Sequence, residues 1–227
     1  MFVEIFSGSG NLTSAVRRAG LQCMPPNDLA NGGTDFESTK EVEELKAALK
    51  EKSDEGFRLV VHLAPPCSTF SRARDRSEQT KVRSKNRVAG ILPVSDEIQA
   101  ANRIALRAWD LAVWLADSLN AKVSLENPQS SYLWEFLDQE GTPHAYEDVT
   151  VSMCRYGADY NKDTRLRWLN GKLDGLDLRC SIRRGCNTCG KKHLRLGFEG
   201  EQTESAAAYP AGLCVKWAKA LTSLRCK

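Results

Sequence analysis

Apolar residues fall along this chain in two rhythms. Met1–Phe6, Leu21–Met24, Phe57–Leu63 (FRLVVHL) and Ala121–Leu125 are short, largely apolar runs. Each stops at turn-forming residues: Ser7-Gly8-Ser9-Gly10, Pro25-Pro26, Ala64-Pro65-Pro66-Cys67 and Glu126-Asn127-Pro128. Runs of this length bounded by glycine or proline predict buried strands. Between them the spacing is helical. Leu12, Val16 and Ala19 share one face of Asn11–Ala19, which Gly20 ends, and Glu41–Lys52 and Glu97–Leu119 are longer amphipathic stretches. The closing segment, Glu204–Leu224, repeats Ala, Leu, Val and Trp at helical intervals around a Tyr209-Pro210 step. Strands alternating with helices predict right-handed βαβ units, and so an α/β fold with a parallel sheet covered on both faces. Two stretches break the rhythm: the polar, Arg/Lys-rich Ser68–Pro93 and the cysteine-rich Leu178–Leu196. A loop as long as the first is a functional candidate inside a compact domain.

Length and composition narrow the class. At 227 residues the chain suits one domain with a small appendage, and 41% hydrophobic against 27% charged residues excludes a disordered polypeptide. No stretch approaches the roughly 20 apolar residues that span a bilayer, and MFVEIFSGSG does not read as a secretory signal, so no membrane partner is expected. A net charge of +3 is too small to mark a nucleic-acid binder by itself, so the distribution of charge has to decide. Eight cysteines without a signal fit an intracellular, reducing compartment rather than a disulfide framework. Clustered cysteines then suggest metal, and a lone one in a special turn suggests a nucleophile.

The candidate chemistry gathers at the strand ends. Phe6-Ser7-Gly8-Ser9-Gly10 joins a strand to a helix, where glycines permit a sharp turn and the helix N-terminus offers N–H groups to a nucleotide or carboxylate. The same residues also suit a purely structural turn. Asp28, about 20 residues on, and then Asp35 are the acidic residues placed for ribose hydroxyls; either equally reads as a turn-capping aspartate. Cys67 follows two prolines that hold the backbone extended, with Ser68, Thr69 and Ser71 around it. Between an apolar strand and a basic loop its thiol pKa is expected to fall, which favours the reactive thiolate; the alternative is an inert core cysteine. Glu126 ends the next strand on the same sheet edge, where a carboxylate is costly to bury without a partner, unless it simply caps or faces solvent.

Phe-Ser-Gly-Ser-Gly, Pro-Pro-Cys-Ser-Thr-Phe-Ser (65–71) and Leu-Glu-Asn-Pro (125–128) resemble, in order, spacing and strand-end placement, motifs I, IV and VI of the DNA cytosine-C5 methyltransferases. The resemblance covers Met1 to about Pro128. It implies a Rossmann-like sheet binding S-adenosylmethionine through Phe6, Ser7, Gly8, Gly10, Asp28, Asp35 and Pro65. It also implies Cys67 as the nucleophile that adds to C6 of cytosine, and Glu126 as the group holding the base at N3 and its amino group. The target base would be flipped or unpaired. Asp163-Thr-Arg165-Leu-Arg167 resembles motif VIII with aspartate in place of glutamine, which makes Arg165 the base- or phosphate-contacting arginine and Arg167 its second. The same alternation also reads as a strand with one solvated face. Tyr209-Pro210 and the following helix stand where the family's last motif packs beside the cofactor, or are a plain amphipathic core helix. Asn102 has no assignable role.

Arg72, Arg74, Arg76, Lys81, Arg83, Lys85 and Arg87 crowd the loop after Cys67. In the family this segment closes over the target, so Ser71, Arg72 and Arg74 are expected to contact nucleic acid. Cys180-x5-Cys186-x2-Cys189-x3-His193 fits a closed, structural Cys3His zinc site, the alternatives being a redox-active Cys-x-x-Cys or coincidence. Cys23, Cys154 and Cys214 read as core residues and Cys226 as part of the tail. Members of the family carry a large recognition region after motif VIII; here little more than Trp168–Thr203 is available, so Arg183 and Arg184 of the zinc segment are expected to take over target contact. The expected organisation is a catalytic core over 1–170, a zinc module over 171–203 and a returning helix over 204–227, as a monomer. The activity implied is cytosine-C5 methylation of DNA, with RNA as the alternative substrate and a catalytically silent nucleic-acid binder as the alternative class.

Overall fold

The computed structural model describes residues 1–180, 190, 193–194 and 206–223. Cys186, Cys189, Arg183 and Arg184 therefore lie outside the described residues.

Among the described residues five strands form one sheet in the order β1-β2-β3-β5-β4. They are β1 (Phe2–Ile5), β2 (Val60–Leu63), β3 (Lys122–Pro128), β4 (Glu147–Ser152) and β5 (Asp163–Leu169). β1, β2 and β3 are parallel, as the βαβ rhythm predicts, whereas β5 lies antiparallel to both β3 and β4. The sheet is thus mixed, not all-parallel, within an α/β Rossmann-like fold. Leu21–Met24, expected as a strand, contributes only an isolated parallel bridge from Cys23 to Phe2, with a second from Asn27 to Ile5. The proline pair between them removes the N–H donors a longer ladder would need.

Among the described residues the α-helices are α1 (Asn11–Arg18), α2 (Thr39–Asp54), α3 (Asp96–Leu119), α4 (Leu133–Glu140) and α5 (Ala211–Ser223). Ser38 and Ser95 start α2 and α3 by accepting from the N–H groups of Glu41 and Ile98, satisfying donors that have no partner inside the helix. β4 and α4 carry no clean periodic signal. Glu147-Asp148 exposes the start of β4, and α4 is only two turns long.

Alternation along the strands sorts residues to two cores. Val3, Ile5, Val61, Leu63, Val123 and Leu125 pack against α2, α3 and α4. Phe2, Leu166 and Trp168 pack against α1 and α5. On this second face three polar residues replace the expected hydrophobes. Glu4, His62 and Ser124 are directly in register across β1, β2 and β3, and all are buried. Buried polar groups need partners. Thr13 of α1 donates to Glu4 from both its backbone N–H and its hydroxyl, and His62 bonds Ser124 at 2.8 Å.

Candidate active site

The ends of β1, β2 and β3 bring three turns to one edge. After β1, Phe6, Gly8 and Gly10 have φ of 57°, 51° and 63°, the left-handed region that glycine tolerates and Phe6 does not favour. Phe6 is held there by its ring, 4.4 Å from that of the buried Phe36. Ser7 Oγ is buried with no hydrogen-bond partner, and the Cβ direction of Gly8 meets no atom within 4 Å. Asp28 accepts from Gly8 N (2.8 Å) and Ala30 N (3.0 Å), and Asp35 accepts from Glu37 N. Both aspartates therefore show the turn-capping arrangement, and Asp28 ties the loop after α1 to the glycine turn.

After β2, Cys67 is half-buried, and Pro65 lines a cleft of ≈180 Å³ between its turn and α3. Asn127 donates to the Pro65 carbonyl at 2.9 Å, which locks the turn after β2 to the end of β3. The expected depression of the Cys67 pKa is overturned. Burial pushes the thiol up; the charge of Lys162 opposes the rise and that of Glu126 adds to it. The arginines of the loop do not offset burial because their charges are directed elsewhere.

Glu126 is 7% exposed. Burial raises its pKa, with Lys162 and a hydrogen bond from Tyr209 acting in the opposite direction. Its Oε1 is buried without a partner. Tyr209 also bonds His62 Nε2 at 2.8 Å. The site thus consists of Cys67, Glu126, Lys162, Tyr209 and His62. Of these, sequence reasoning gave no role to Lys162 or His62 and left Tyr209 undecided. Lys162 precedes β5, and its even-numbered position shares parity with Leu166 and Trp168, which face α5; that parity is the signal the chain offered.

Arg165 and Arg167 do not join this site. Their register partners on β3 are Asn127 and Leu125, so they leave the sheet on the face opposite Glu126. Arg165 pairs with Asp148 at 3.0 Å and lies over Trp134. Arg167 is 1% exposed, pairs with Asp138 and Asp148, and stacks 3.6 Å from the Tyr146 ring. The structure places both arginines, expected at the site, in ion pairs on the other face of the sheet. The solvated-face alternative fails too, because α4 covers that face.

The basic loop is packed down. Arg83 is buried, donates to Thr69 O and Oγ1, Val88 O and Asn102 Oδ1, and stacks 3.7 Å over Phe70. Asn102 thereby acquires the role that its sequence context did not reveal. Ser71 caps a 3-10 turn over Arg72–Arg76. Arg72 pairs with Glu135 and Arg74 with Glu97, at 2.7 and 3.3 Å.

Of the expected zinc ligands, Cys180 and His193 are together, Sγ to Nε2 4.0 Å. Cys154, expected to be a plain core residue, joins them: its Sγ and the other two ligand atoms lie within 4.8 Å of one another. Cys154 sits in the 3-10 turn Met153–Tyr156 between β4 and β5. In a tetrahedral zinc shell such atoms lie about 3.5–3.8 Å apart, so a small contraction would suffice. The approach is set by backbone bonds from Cys180 N to Ser152 Oγ and Leu194 N to Asp159 O.

No family model and no curated protein matches the chain. Among solved structures it is similar to a methyltransferase of Entamoeba histolytica, at 14% identity and a TM-score of 0.44. The match covers 77% of this chain and 54% of that one, so the chain spans about half the length of the protein it matches. No helix among the described residues is long and apolar enough to cross a membrane.

Proposed function

We propose that this chain methylates C5 of cytosine in DNA through a covalent adduct between Cys67 and C6 of the base. The observation that carries the reading is Glu126: a buried carboxyl with raised pKa and an unpartnered oxygen, interacting electrostatically with the Cys67 thiol. Cytosine C5 is a weak nucleophile. When the Cys67 thiolate bonds C6, the C5–C6 double bond opens and charge moves into the ring. A neutral Glu126 supplies the proton that N3 then accepts. Lys162 is the cation facing the thiolate. Loss of the C5 proton after methylation expels Cys67 and restores the aromatic ring.

The glycine turn suits S-adenosylmethionine on two counts, the orphaned Ser7 hydroxyl and the open space at Gly8. Phe6, Ser7, Gly8, Gly10 and Pro65 would hold it. When bound, it supplies the electrophilic methyl group. Asp28 keeps the turn in shape through Gly8 N. Ser71, Arg72 and Arg74 are the candidates for nucleic-acid contact. The pairs that Arg72 and Arg74 make are partly exposed, and such pairs contribute about 0–1 kcal/mol, so phosphates exchange readily for Glu135 and Glu97. A structural zinc ion belongs to the same reading, with Cys154, Cys180 and His193 as three ligands and one cysteine of the Cys186/Cys189 pair, read from sequence, as the fourth.

The test is an oligonucleotide containing 5-fluorocytosine, offered as DNA and as RNA together with S-adenosylmethionine. The fluorine cannot leave as a proton does, so a denaturation-resistant complex should accumulate with DNA and be absent in Cys67→Ala. Trapping on RNA alone would reassign the substrate. An adduct retained by Cys67→Ala, or none with either polymer, would overturn the mechanism.

A further inference from the structure

The cysteine-histidine cluster and the strand end carrying Glu126 are joined by hydrogen bonds that the proposed chemistry does not use. Cys154, Cys180 and His193 come from three stretches of the protein: the turn between β4 and β5, the segment after β5, and the point where that segment returns. Backbone bonds hold the three stretches side by side. Ser152 N donates to Leu178 O at 2.9 Å, and Leu194 N donates to Asp159 O at 2.8 Å. From Cys180 the bonds lead on toward the active site. Cys180 N donates to Ser152 Oγ at 2.9 Å, and Ser152 Oγ donates to Asp163 Oδ1 at 2.6 Å. The Asp163 carbonyl accepts from Gln129 N at 2.9 Å, directly after Glu126-Asn127-Pro128. Asn127 in turn donates to the Pro65 carbonyl, in the turn that bears Cys67.

The direction of each bond is fixed by the groups that make it. A backbone N–H only donates, a carbonyl or carboxylate only accepts, and Ser152 has one hydroxyl proton, which goes to Asp163. Ser152 is 1% exposed, so water does not stand in for either of its partners. Ser152 and Asp163 are register partners in the β4–β5 ladder, which brings the hydroxyl to the carboxylate. Pro128 has no N–H to give, so Gln129 supplies the donor at this end of β3. Asp163 is also the position where the resemblance to motif VIII departs, with aspartate for glutamine. A carboxylate binds a hydroxyl proton more strongly than a neutral amide does.

We propose that Ser152 and Asp163 couple the metal site to the strand end carrying Glu126, so that zinc bound by Cys154, Cys180 and His193 braces the active site. Both are positioning residues, because they act through Gln129. That the braced groups act on cytosine rests on the function proposed above; the coupling does not. A closed zinc shell pins its ligands, and hydrogen bonds to the ligand residues carry that rigidity outward. Without the metal, the three stretches are held by backbone and side-chain hydrogen bonds and packing, and local opening costs less.

Amide exchange followed by NMR tests the coupling in zinc-loaded wild type, zinc-stripped wild type, and Ser152→Ala at saturating zinc. In the last two, Gln129 N–H should exchange at least ~10-fold faster than in the first. Lys122 N–H, bonded to Leu59 O at the other end of β3, should not change. Wild-type exchange of Gln129 in zinc-loaded Ser152→Ala would overturn the proposal. So would protein that takes up no zinc. If stripping unfolds the sheet, Lys122 reports it, and zinc-loaded Ser152→Ala decides alone. Adduct formation on 5-fluorocytosine DNA, at saturating DNA, should slow roughly 10- to 100-fold in Ser152→Ala, as a small misplacement of Glu126 requires. The DNA concentration giving half the maximal rate should stay the same, a split that general loss of folded protein would not produce. An unchanged rate would remove Ser152 as a positioning residue and overturn the bracing. If the wild type forms no adduct with DNA or RNA while the Gln129 results hold, the proposed function fails and the coupling stands.

Discussion

At neutral pH His62 is an uncharged imidazole with no solvent contact, and burial lowers its pKa from 6.5 to about 3. Its depressed value means that the unfolded chain binds a proton in a range where the folded protein does not. Stability from this residue is therefore fully present above pH 6.5 and is lost as the pH falls through 6.5 toward 3. Integrating proton uptake gives a total of about 5 kcal/mol, of which about 2 kcal/mol is already lost at pH 5. The assay is urea unfolding of the wild type and His62→Gln at pH 8 and pH 5. Glutamine does not titrate, so the wild type should lose about 2 kcal/mol more than the variant over that interval. Glu4 and Glu126, whose raised values make stability rise as pH falls, act alike in both proteins and cancel in the comparison. Equal losses in the two proteins would show that His62 accepts a proton in place, and the account of a dry, neutral histidine would be wrong.

Two further outcomes follow from residues whose roles changed between sequence and structure. Arg167→Met should cost about 3 kcal/mol, because Asp138 and Asp148 lose a shared buried cation; a urea midpoint within error of the wild type would mark these ion pairs as dispensable. Purified protein should contain one zinc per chain, and Cys154→Ser should weaken its retention against a chelator by at least ~10-fold, as loss of a thiolate ligand requires. Stoichiometric zinc held equally well by Cys154→Ser would return Cys154 to the core and leave the metal to the cysteine-rich segment.

Much of the architecture is written locally. The strands β1, β2 and the start of β3 and the helices α1, α2 and α3 follow from periodicity and punctuation, since a glycine or proline at a run's end acts within a few residues. The motif residue Cys67 was legible for the same reason, sitting in the turn that ends its strand; Glu126 was legible from its motif, although β3 runs on past it to Pro128 because it pairs there with β5. Partnership was not legible. Arg165 and Arg167 looked like site residues until strand register put them on the opposite face from Glu126, and a shift of one residue would have reversed that outcome. Arg83 and Asn102 lie 19 residues apart and meet only because the basic loop folds onto α3. Tyr209 reaches His62 across 147 residues of chain, and Cys154 comes to Cys180 and His193 only when the segment after β5 returns to the turn before it. The pKa of Cys67 shows the limit most directly. Its neighbours in sequence are basic, but in space burial outweighs the one nearby cation, Lys162, and Glu126 adds to the rise.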